Sequence, residues 1–156
     1  MQLFKNEKGN KDYTIIVGCG RLGANLANTI SDEGRNVLII DKNKDAFRKL
    51  SPSFGGISII GDATDFDILQ EAQIDNASVV VSVTDNDNIN IMVALIARDL
   101  FQIKCVISRL QDPERECVYR EFGIDTICPA VLSAKEINRI LAEMSTSEAV
   151  SSEVDQ

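Results

Sequence analysis

The sequence YTIIVGCGRLGANLANTISDEGRNVLIID, residues 13–41, contains the pattern that decides the fold. An apolar run, Tyr13–Val17, stops at a glycine, and apolar residues then recur at helical spacing over residues 21–33. A second apolar run follows at Asn36–Asp41. Continuous β-branched runs are typical of strands buried on both faces of a parallel sheet. The stretch therefore predicts a strand, a helix and a second strand parallel to the first.

The same alternation continues along the rest of the chain. Four further apolar runs predict strands at residues 57–60, 78–83, 104–108 and 126–128. Helical patterns lie between and after them, at residues 43–50, 65–72, 88–101, 112–123 and 131–144. Asp112 and Pro113 form a clear helix start, because aspartate is a preferred N-cap and proline fits the first helical position. Such alternation predicts a Rossmann-like α/β fold, a doubly wound parallel six-stranded sheet with helices on both faces.

Composition limits the classes of function. The 156 residues are 44% apolar, which fits one globular domain, and 24 acidic against 16 basic residues give a net charge of −8. Nucleic-acid binding is disfavoured because phosphate neutralisation needs clustered Lys and Arg. The absence of histidine excludes Ser-His-Asp and Cys-His nucleophiles and His-ligated zinc. The polar residues 1–12 predict a flexible segment without a secretory signal, and we expect the cytoplasm; residues 145–156 predict a disordered acidic tail.

The glycine-rich loop predicts a binding site for a diphosphate. Residues 18–23 follow the pattern G-x-G-x-x-G between a strand and a helix, and they comprise Gly18, Cys19, Gly20, Arg21, Leu22 and Gly23. Gly18 permits the tight turn, Gly20 lets phosphates approach the backbone, and Gly23 allows close packing of helix on strand. The free N–H groups and the dipole of the first helical turn favour an anion there. We interpret Arg21 as a clamp over the phosphates, the alternative being an exposed arginine in solvent.

Asp41 completes this pattern. It ends the second strand 18 residues after Gly23, where a carboxylate can accept hydrogen bonds from both ribose hydroxyls of an adenosine. The same carboxylate would repel a 2′-phosphate, which disfavours NADP. The alternative is that the glycines only make turns and that Asp41 caps the following helix.

Two polar loops at other strand ends extend the predicted site. We place Asp62, Thr64, Thr84 and Asp85 near the ligand, and we assign Asp65 and either Asp87 or Asn88 as helix caps. Arg109 is placed to pair with these carboxylates or with a bound phosphate, although an ion pair with Asp112 or Glu114 is an equally good alternative. The acids Asp62, Asp85 and Asp87 could hold a divalent cation, but their spacing matches no defined metal loop, so no metal is predicted.

Six segments resemble one known family. VGCGRLGANLA, LIIDKN, GDAT, TDNDNINIMVALIAR, ISRLQDPE and FGIDTICPA together are similar to the RCK N-terminal domain, also called TrkA-N or KTN. The likeness covers residues 13–144, and its more specific pieces are the G-x-G-R-x-G form and the GDAT step. The resemblance implies a regulatory, non-enzymatic gating subunit of a potassium channel or of a Trk/Ktr potassium-uptake system.

The resemblance also implies ligands and partners. Members bind NAD(H) or adenine nucleotides such as ATP, ADP or AMP, and they assemble as dimers or rings beneath a membrane pore. The implied cofactor-binding residues are the glycine loop with Asp41, Lys42, Asp62, Ala63, Thr64, Thr84, Asp85 and Arg109. The usual second domain is missing from the sequence, so we expect either truncation or a separate RCK C-terminal polypeptide. The broad apolar surfaces of residues 88–101 and 131–144 favour oligomerisation.

Two other functions stay open at this point. An NAD-dependent oxidoreductase cofactor domain would share the glycine loop, but the sequence offers neither a histidine acid/base nor a well-placed tyrosine. A redox sensor could use Cys19, because a helix N-terminus favours a thiolate. The alternative for Cys19 is a small residue tolerated at a tight turn.

Overall fold

A computed structural model describes the backbone of residues 13–153 and the side chains of residues 13–144. The predicted flexible segment, residues 1–12, lies outside the described residues. In this described part of the chain, six strands form one sheet in which every neighbouring pair is parallel. The strands are β1 Tyr13–Val17, β2 Asn36–Asp41, β3 Ile57–Ile60, β4 Val79–Ser82, β5 Cys105–Arg109 and β6 Asp125–Ile127. Their order is β3-β2-β1-β4-β5-β6, which confirms the predicted fold class.

Within residues 13–153, five α-helices connect or follow the strands. They are α1 Arg21–Asp32, α2 Phe66–Glu71, α3 Asp87–Leu95, α4 Glu116–Glu121 and α5 Pro129–Glu153. Short 3₁₀ segments occupy Lys44–Lys49, Ile74–Asn76 and Pro113–Arg115, and α3 continues into a π-helical turn at Ile96–Leu100. The predicted helix at residues 43–50 is therefore a 3₁₀ segment. It cannot extend into an α-helix because Pro52 follows it closely.

The core lies on both faces of the sheet, because successive side chains of a strand point to opposite sides. On one face Ile15 and Leu38 pack with α2 and α3, whose buried residues include Leu69 and Val93. On the other face the strand residues pack with α1 and with the 3₁₀ segment Lys44–Lys49. The central strands are buried on both sides, which is why their sequences are continuously apolar.

The sheet order reverses between β1 and β4, which places two loops side by side. The chain leaves β1 toward β2 on one side and leaves β4 toward β5 on the other. A crevice opens at such a point beyond the carboxyl ends of the strands. Here Gly18 and Thr84 both line the crevice, and the two loops touch at these residues, since the Cβ of an alanine at residue 18 would lie only 2.9 Å from the Thr84 nitrogen.

The last helix differs from its prediction. The sequence predicts that this helix ends at Met144 and that residues 145–156 form a disordered tail. In the structure α5 continues to Glu153. The helix can continue because neither proline nor glycine occurs after Pro129. Residues 131–144 are exposed throughout, so this part of α5 does not cover a face of the sheet. Among the helices that the structure describes, none is long and apolar enough to cross a lipid bilayer.

Close packing of α1 on β1 depends on two glycines. Gly18 has a φ of +102°, a left-handed conformation that side chains rarely adopt. The Cβ of an alanine at residue 23 would lie 1.8 Å from the Gly18 carbonyl oxygen, which is an impossible contact. Gly20 differs, since apart from its chain neighbours Cys19 and Arg21 no atom of the described chain lies within 4 Å of the place that its Cβ would take.

We predict that Gly23→Ala lowers the free energy of unfolding by about 1–3 kcal/mol or more, because the backbone must shift to admit the methyl group. Gly20→Ala is the matched control. It should cost at most about 1 kcal/mol, the difference between glycine and alanine at an N-cap. Urea unfolding followed by circular dichroism measures both variants. Equal losses in the two would contradict the packing role assigned to Gly23.

Candidate functional site

The first turn of α1 lacks the side-chain cap that is present after β2, β3, β4 and β5. After β2, β3, β4 and β5, an Asn or Asp side chain accepts a hydrogen bond from the first turn; these caps are Asn43, Asp65, Asn86 and Asp112. After β1 the N-cap is Gly20, and no described side chain caps it. The N–H groups at this helix start therefore remain available to an anion.

The structure confirms the predicted cap of α2 and corrects the predicted cap of α3. Asp65 is confirmed as the cap of α2. The prediction of Asp87 or Asn88 for α3 was wrong, since Asn86 accepts the backbone N–H groups of Asn88 and Ile89. The Asp87 carboxylate instead accepts the N–H of Gln111 at 2.9 Å, which ties the start of α3 to the loop after β5.

Asp41 locks the glycine loop to the end of β2. Its Oδ2 accepts the N–H of Cys19 at 2.7 Å, and its Oδ1 accepts the N–H of Asn43 at 2.8 Å. Asp41 does not cap the 3₁₀ segment, because the Asn43 side chain does so. Each carboxylate oxygen has a further acceptor site beyond these bonds, so Asp41 can still accept a ribose hydroxyl.

The GDAT step forms a small polar cluster on the other side of the crevice. The Asp62 Oδ1 accepts both the N–H of Thr64 at 2.9 Å and its hydroxyl at 2.7 Å. Its Oδ2 lies 2.7 Å from the Lys42 Nζ. The hydrogen bond from Lys42, followed by those from Thr64, lowers the pKa of Asp62 to about 2. The carboxylate is therefore ionised at any pH near neutrality.

Asn90, which the sequence analysis did not single out, supports the β4 end of the crevice. The residue is fully buried on α3, and its Oδ1 accepts the N–H of Thr84 at 2.8 Å. Its Nδ2 donates to the carbonyls of Thr84 at 3.0 Å and Arg109 at 3.1 Å. A buried amide needs such partners. The available signal was a polar residue on the apolar side of α3.

Arg109 pairs with an acid at the rim of the crevice. Its Nη1 lies 2.9 Å from the Asp85 Oδ1, so its partner is Asp85 and not Asp112 or Glu114. The Arg109 Nε is buried without a hydrogen-bond partner in the described chain. The ion pair with Asp85 therefore leaves the Nε of the Arg109 guanidinium without a hydrogen-bond partner in the described chain.

Three adjoining clefts bring most of the predicted residues together. The main cleft, of about 290 Å³, is lined by the predicted residues Gly18, Asp41, Lys42, Asp62, Ala63, Thr84 and Asp85. A second cleft, of about 220 Å³, adds Cys19 and Gly20. A third, of about 580 Å³, adds Arg21, Leu22 and Arg109. Thr64 and Gly23 line none of the three; they position Asp62 and the loop.

The three acids proposed as a possible cation cluster have other partners. Asp62 pairs with Lys42, Asp85 with Arg109, and Asp87 with backbone N–H groups. Within the described residues, no group of three or more metal-binding side chains could hold a metal ion.

Cys19 does not have the environment of a reactive thiolate. The side chain is fully buried, and its Sγ lies 3.4 Å from the Ala46 carbonyl oxygen as a donor. Burial, followed by the nearby Asp41 charge, raises the pKa of the thiol, and the Lys49 charge opposes this only in part. The redox-sensor alternative loses its physical basis, because the thiol is both inaccessible and protonated near neutral pH.

We predict that Lys42→Met raises the pKa of Asp62 toward its ordinary value of 3.8. Since the folded-state pKa is depressed, the ionised carboxylate stabilises the fold above about pH 4, and this contribution disappears as the pH falls toward 2. Carboxyl-carbon NMR titration measures the pKa directly. Lys44→Met removes the same charge from the same loop and should leave Asp62 unchanged. An unaltered Asp62 titration in Lys42→Met would refute the role of Lys42.

Comparison with known proteins identifies related sequences. Residues 14–130 match the profile of the TrkA-N domain. The Trk system potassium uptake protein TrkA of Streptomyces coelicolor is 38% identical over 129 residues, which cover 83% of this chain. The match spans 58% of that relative, so this chain corresponds to a little over half of its length.

Solved structures share the fold. GsuK bound to ADP superposes with a TM-score of 0.72 at 25% identity, over 86% of this chain and 35% of that one. The GsuK channel bound to NAD gives a TM-score of 0.74 at 24% identity, over 90% of this chain and 25% of that one.

Proposed function

The chain belongs to the TrkA-N family, and from that membership we propose that it is a nucleotide-binding regulatory domain of a potassium transport system. In this proposal NAD(H) or an adenine nucleotide binds at the crevice between β1 and β4. Occupancy of the crevice alters the shape of the domain, and a membrane partner responds by changing potassium flux. The domain itself carries out no chemical reaction.

One observation carries the proposal: the uncapped N-terminus of α1 faces the same crevice as the Asp41 carboxylate. The N–H groups of the helix start suit a diphosphate, and the remaining acceptor sites of Asp41 suit the ribose. Open space above Gly20 leaves room for phosphate oxygens close to the backbone. The geometry therefore fits an adenosine joined to a phosphate chain.

The adenosine half of such a ligand fits the main cleft. That cleft is bounded by the apolar Ile40, Ala63 and Ile89, which offer surfaces for a base, and by the polar Asp41 and Asp62. The ligand types are also those named for structural neighbours, since one GsuK structure contains ADP and another contains NAD. Asp41 would repel a 2′-phosphate, so we propose NAD(H) rather than its phosphorylated form.

An oxidoreductase cofactor domain is the second candidate, because it would use the same crevice. Within the described residues, the tyrosines are poorly placed for acid–base work. Tyr13 is buried in β1 and donates its hydroxyl to the Ala72 carbonyl at 2.8 Å. Tyr119 is buried in α4, and burial raises its pKa. These positions favour the regulatory proposal.

The proposed partners follow from the relatives and from the exposed helix surface. The TrkA relative belongs to a potassium uptake system, which supports a membrane transport subunit as the partner and the cytoplasmic side of that membrane as the location. The exposed apolar residues of α5, among them Ile137, Ile140 and Leu141, suit a second copy of the chain or a separate RCK C-terminal polypeptide. We therefore propose a dimer or a ring.

We predict that ADP and NADH bind the chain and that Asp41→Ala weakens both by about 1–3 kcal/mol, the value of lost hydrogen bonds to a charged group. Isothermal titration calorimetry measures the affinities. A hundredfold excess over the dissociation constant should stabilise the wild type by about 2.7 kcal/mol. Asp67→Ala, at an exposed position on α2, is the charge-matched control. Equal affinities in the wild type and Asp41→Ala would place the ribose elsewhere.

We also predict that bound NADH is not oxidised. The test incubates the protein with NADH and a panel of aldehydes, ketones and quinones while absorbance at the nicotinamide band is followed. A constant signal, at concentrations where calorimetry shows saturation, is the expected result. Sustained turnover that Asp41→Ala abolishes would establish the oxidoreductase instead.

A further inference from the structure

Lys49 lies beside the glycine loop although it is far from the loop in sequence. It ends the 3₁₀ segment Lys44–Lys49, which is anchored on the core by the buried Ala46. The Cys19 Sγ donates to the Ala46 carbonyl at 3.4 Å, which fixes this segment against the loop. The fold therefore places the Lys49 ammonium group at the rim of the crevice.

Two independent observations place the Lys49 charge near the proposed phosphates. Lys49 lines both the second and the third cleft, together with Gly20 and Asp85. Its charge also lowers the pKa of Cys19, against the larger effect of burial, and Cys19 lies between the first two glycines of the loop. Both observations put the lysine at the junction of the second and third clefts.

Lys49, like Arg21, forms no ion pair within the described residues, whereas the other two cations at the crevice do. Lys42 is paired with Asp62, and Arg109 is paired with Asp85. Among residues 13–144, Lys49 forms no ion pair with a carboxylate. An incoming anion can therefore bind the Lys49 ammonium group without first breaking an ion pair within the described chain.

The position of Asp41 indicates which phosphate of a bound nucleotide Lys49 would contact. With the ribose on Asp41, the first phosphate would lie over Gly18 in the second cleft, and a further phosphate would extend past Gly20 into the third cleft. Lys49 lines that cleft with Arg21 and Arg109. A monophosphate at the Gly18 end of the second cleft would stop short of Arg21 and Arg109, whereas a diphosphate or a dinucleotide would extend past Gly20 to Lys49 and the two arginines.

We propose that Lys49 is a specificity-determining residue whose ammonium group binds the phosphate beyond the first and so favours nucleoside diphosphates and dinucleotides over monophosphates. This inference rests on the proposed nucleotide-binding function. It adds the Lys49 ammonium group to Arg21, Arg109 and the helix N-terminus as a source of positive charge at the phosphate end of the crevice.

Calorimetry with adenosine, AMP and ADP tests the proposal on the whole chain, without divalent cations and at low salt. Lys49→Met should weaken ADP about tenfold, which equals about 1.4 kcal/mol, and should change AMP and adenosine less than about twofold. The ADP effect should shrink at high salt, because the lysine is exposed. Lys49→Arg should retain most of the affinity for ADP.

Lys44→Met removes the same charge from the other end of the same segment and should leave all three affinities unchanged. Thermal midpoints without ligand verify that each variant is folded, and Lys49→Gln replaces Lys49→Met if the latter unfolds. Equal ADP affinity in Lys49→Met and Lys44→Met overturns the proposal, as does an equal loss for AMP and ADP. A wild type that binds none of the three ligands refutes the proposed function itself, which separates the two failures.

Discussion

The carbonyl oxygen of Gly18 occupies the place that a side chain at residue 23 would need, and the rest of the crevice depends on this contact. Because Gly23 has no Cβ, α1 can begin directly above the end of β1 and pack closely on the sheet. The helix start then points its N–H groups into the gap where the strand order reverses. Any larger residue at this position would tilt the helix and separate those groups from Asp41.

The crevice combines anion-binding groups with a chain whose net charge is −8. Long-range attraction therefore cannot bring a nucleotide to the domain, and local groups must provide the binding energy. The acids nearest the crevice are each engaged: Asp41 by two backbone N–H groups, Asp62 by Lys42 and Asp85 by Arg109. These contacts spread the negative charge over fixed donors and reduce its repulsion of a bound phosphate.

The parts of the fold with strong local signals could be predicted from the sequence. Continuous β-branched runs such as Val37–Ile40 predicted the buried strands, and the spacing of Gly18, Gly20 and Gly23 predicted the loop. Helix type and helix ends were less predictable, since Lys44–Lys49 is a 3₁₀ segment and α5 extends past Met144. Both depend on competition between short segments and tertiary packing, which local pattern does not record.

The candidate site shows the same division. Asp41, Lys42, Asp62 and Thr84 were predicted from their places at strand ends and from the family resemblance, and the structure gathers them at one cleft. Asn90 and Lys49 were missed because their roles arise from distant segments folded together. Nothing in the sequence around Lys49 indicates that the Ala46 carbonyl accepts a hydrogen bond from the Cys19 thiol and so holds the lysine beside the glycine loop.

The buried amide of Asn90 has a mechanical consequence. One side chain bonds to the backbone of Thr84 and to the carbonyl of Arg109, so the ends of β4 and β5 cannot move apart independently. The next residue, Leu110, donates its N–H to the Ile127 carbonyl at 2.9 Å, two residues before α5 begins. A displacement of Thr84 would therefore be passed through these hydrogen bonds to the ends of β5 and β6 and to the root of α5, and the length of that helix would amplify it at the far end.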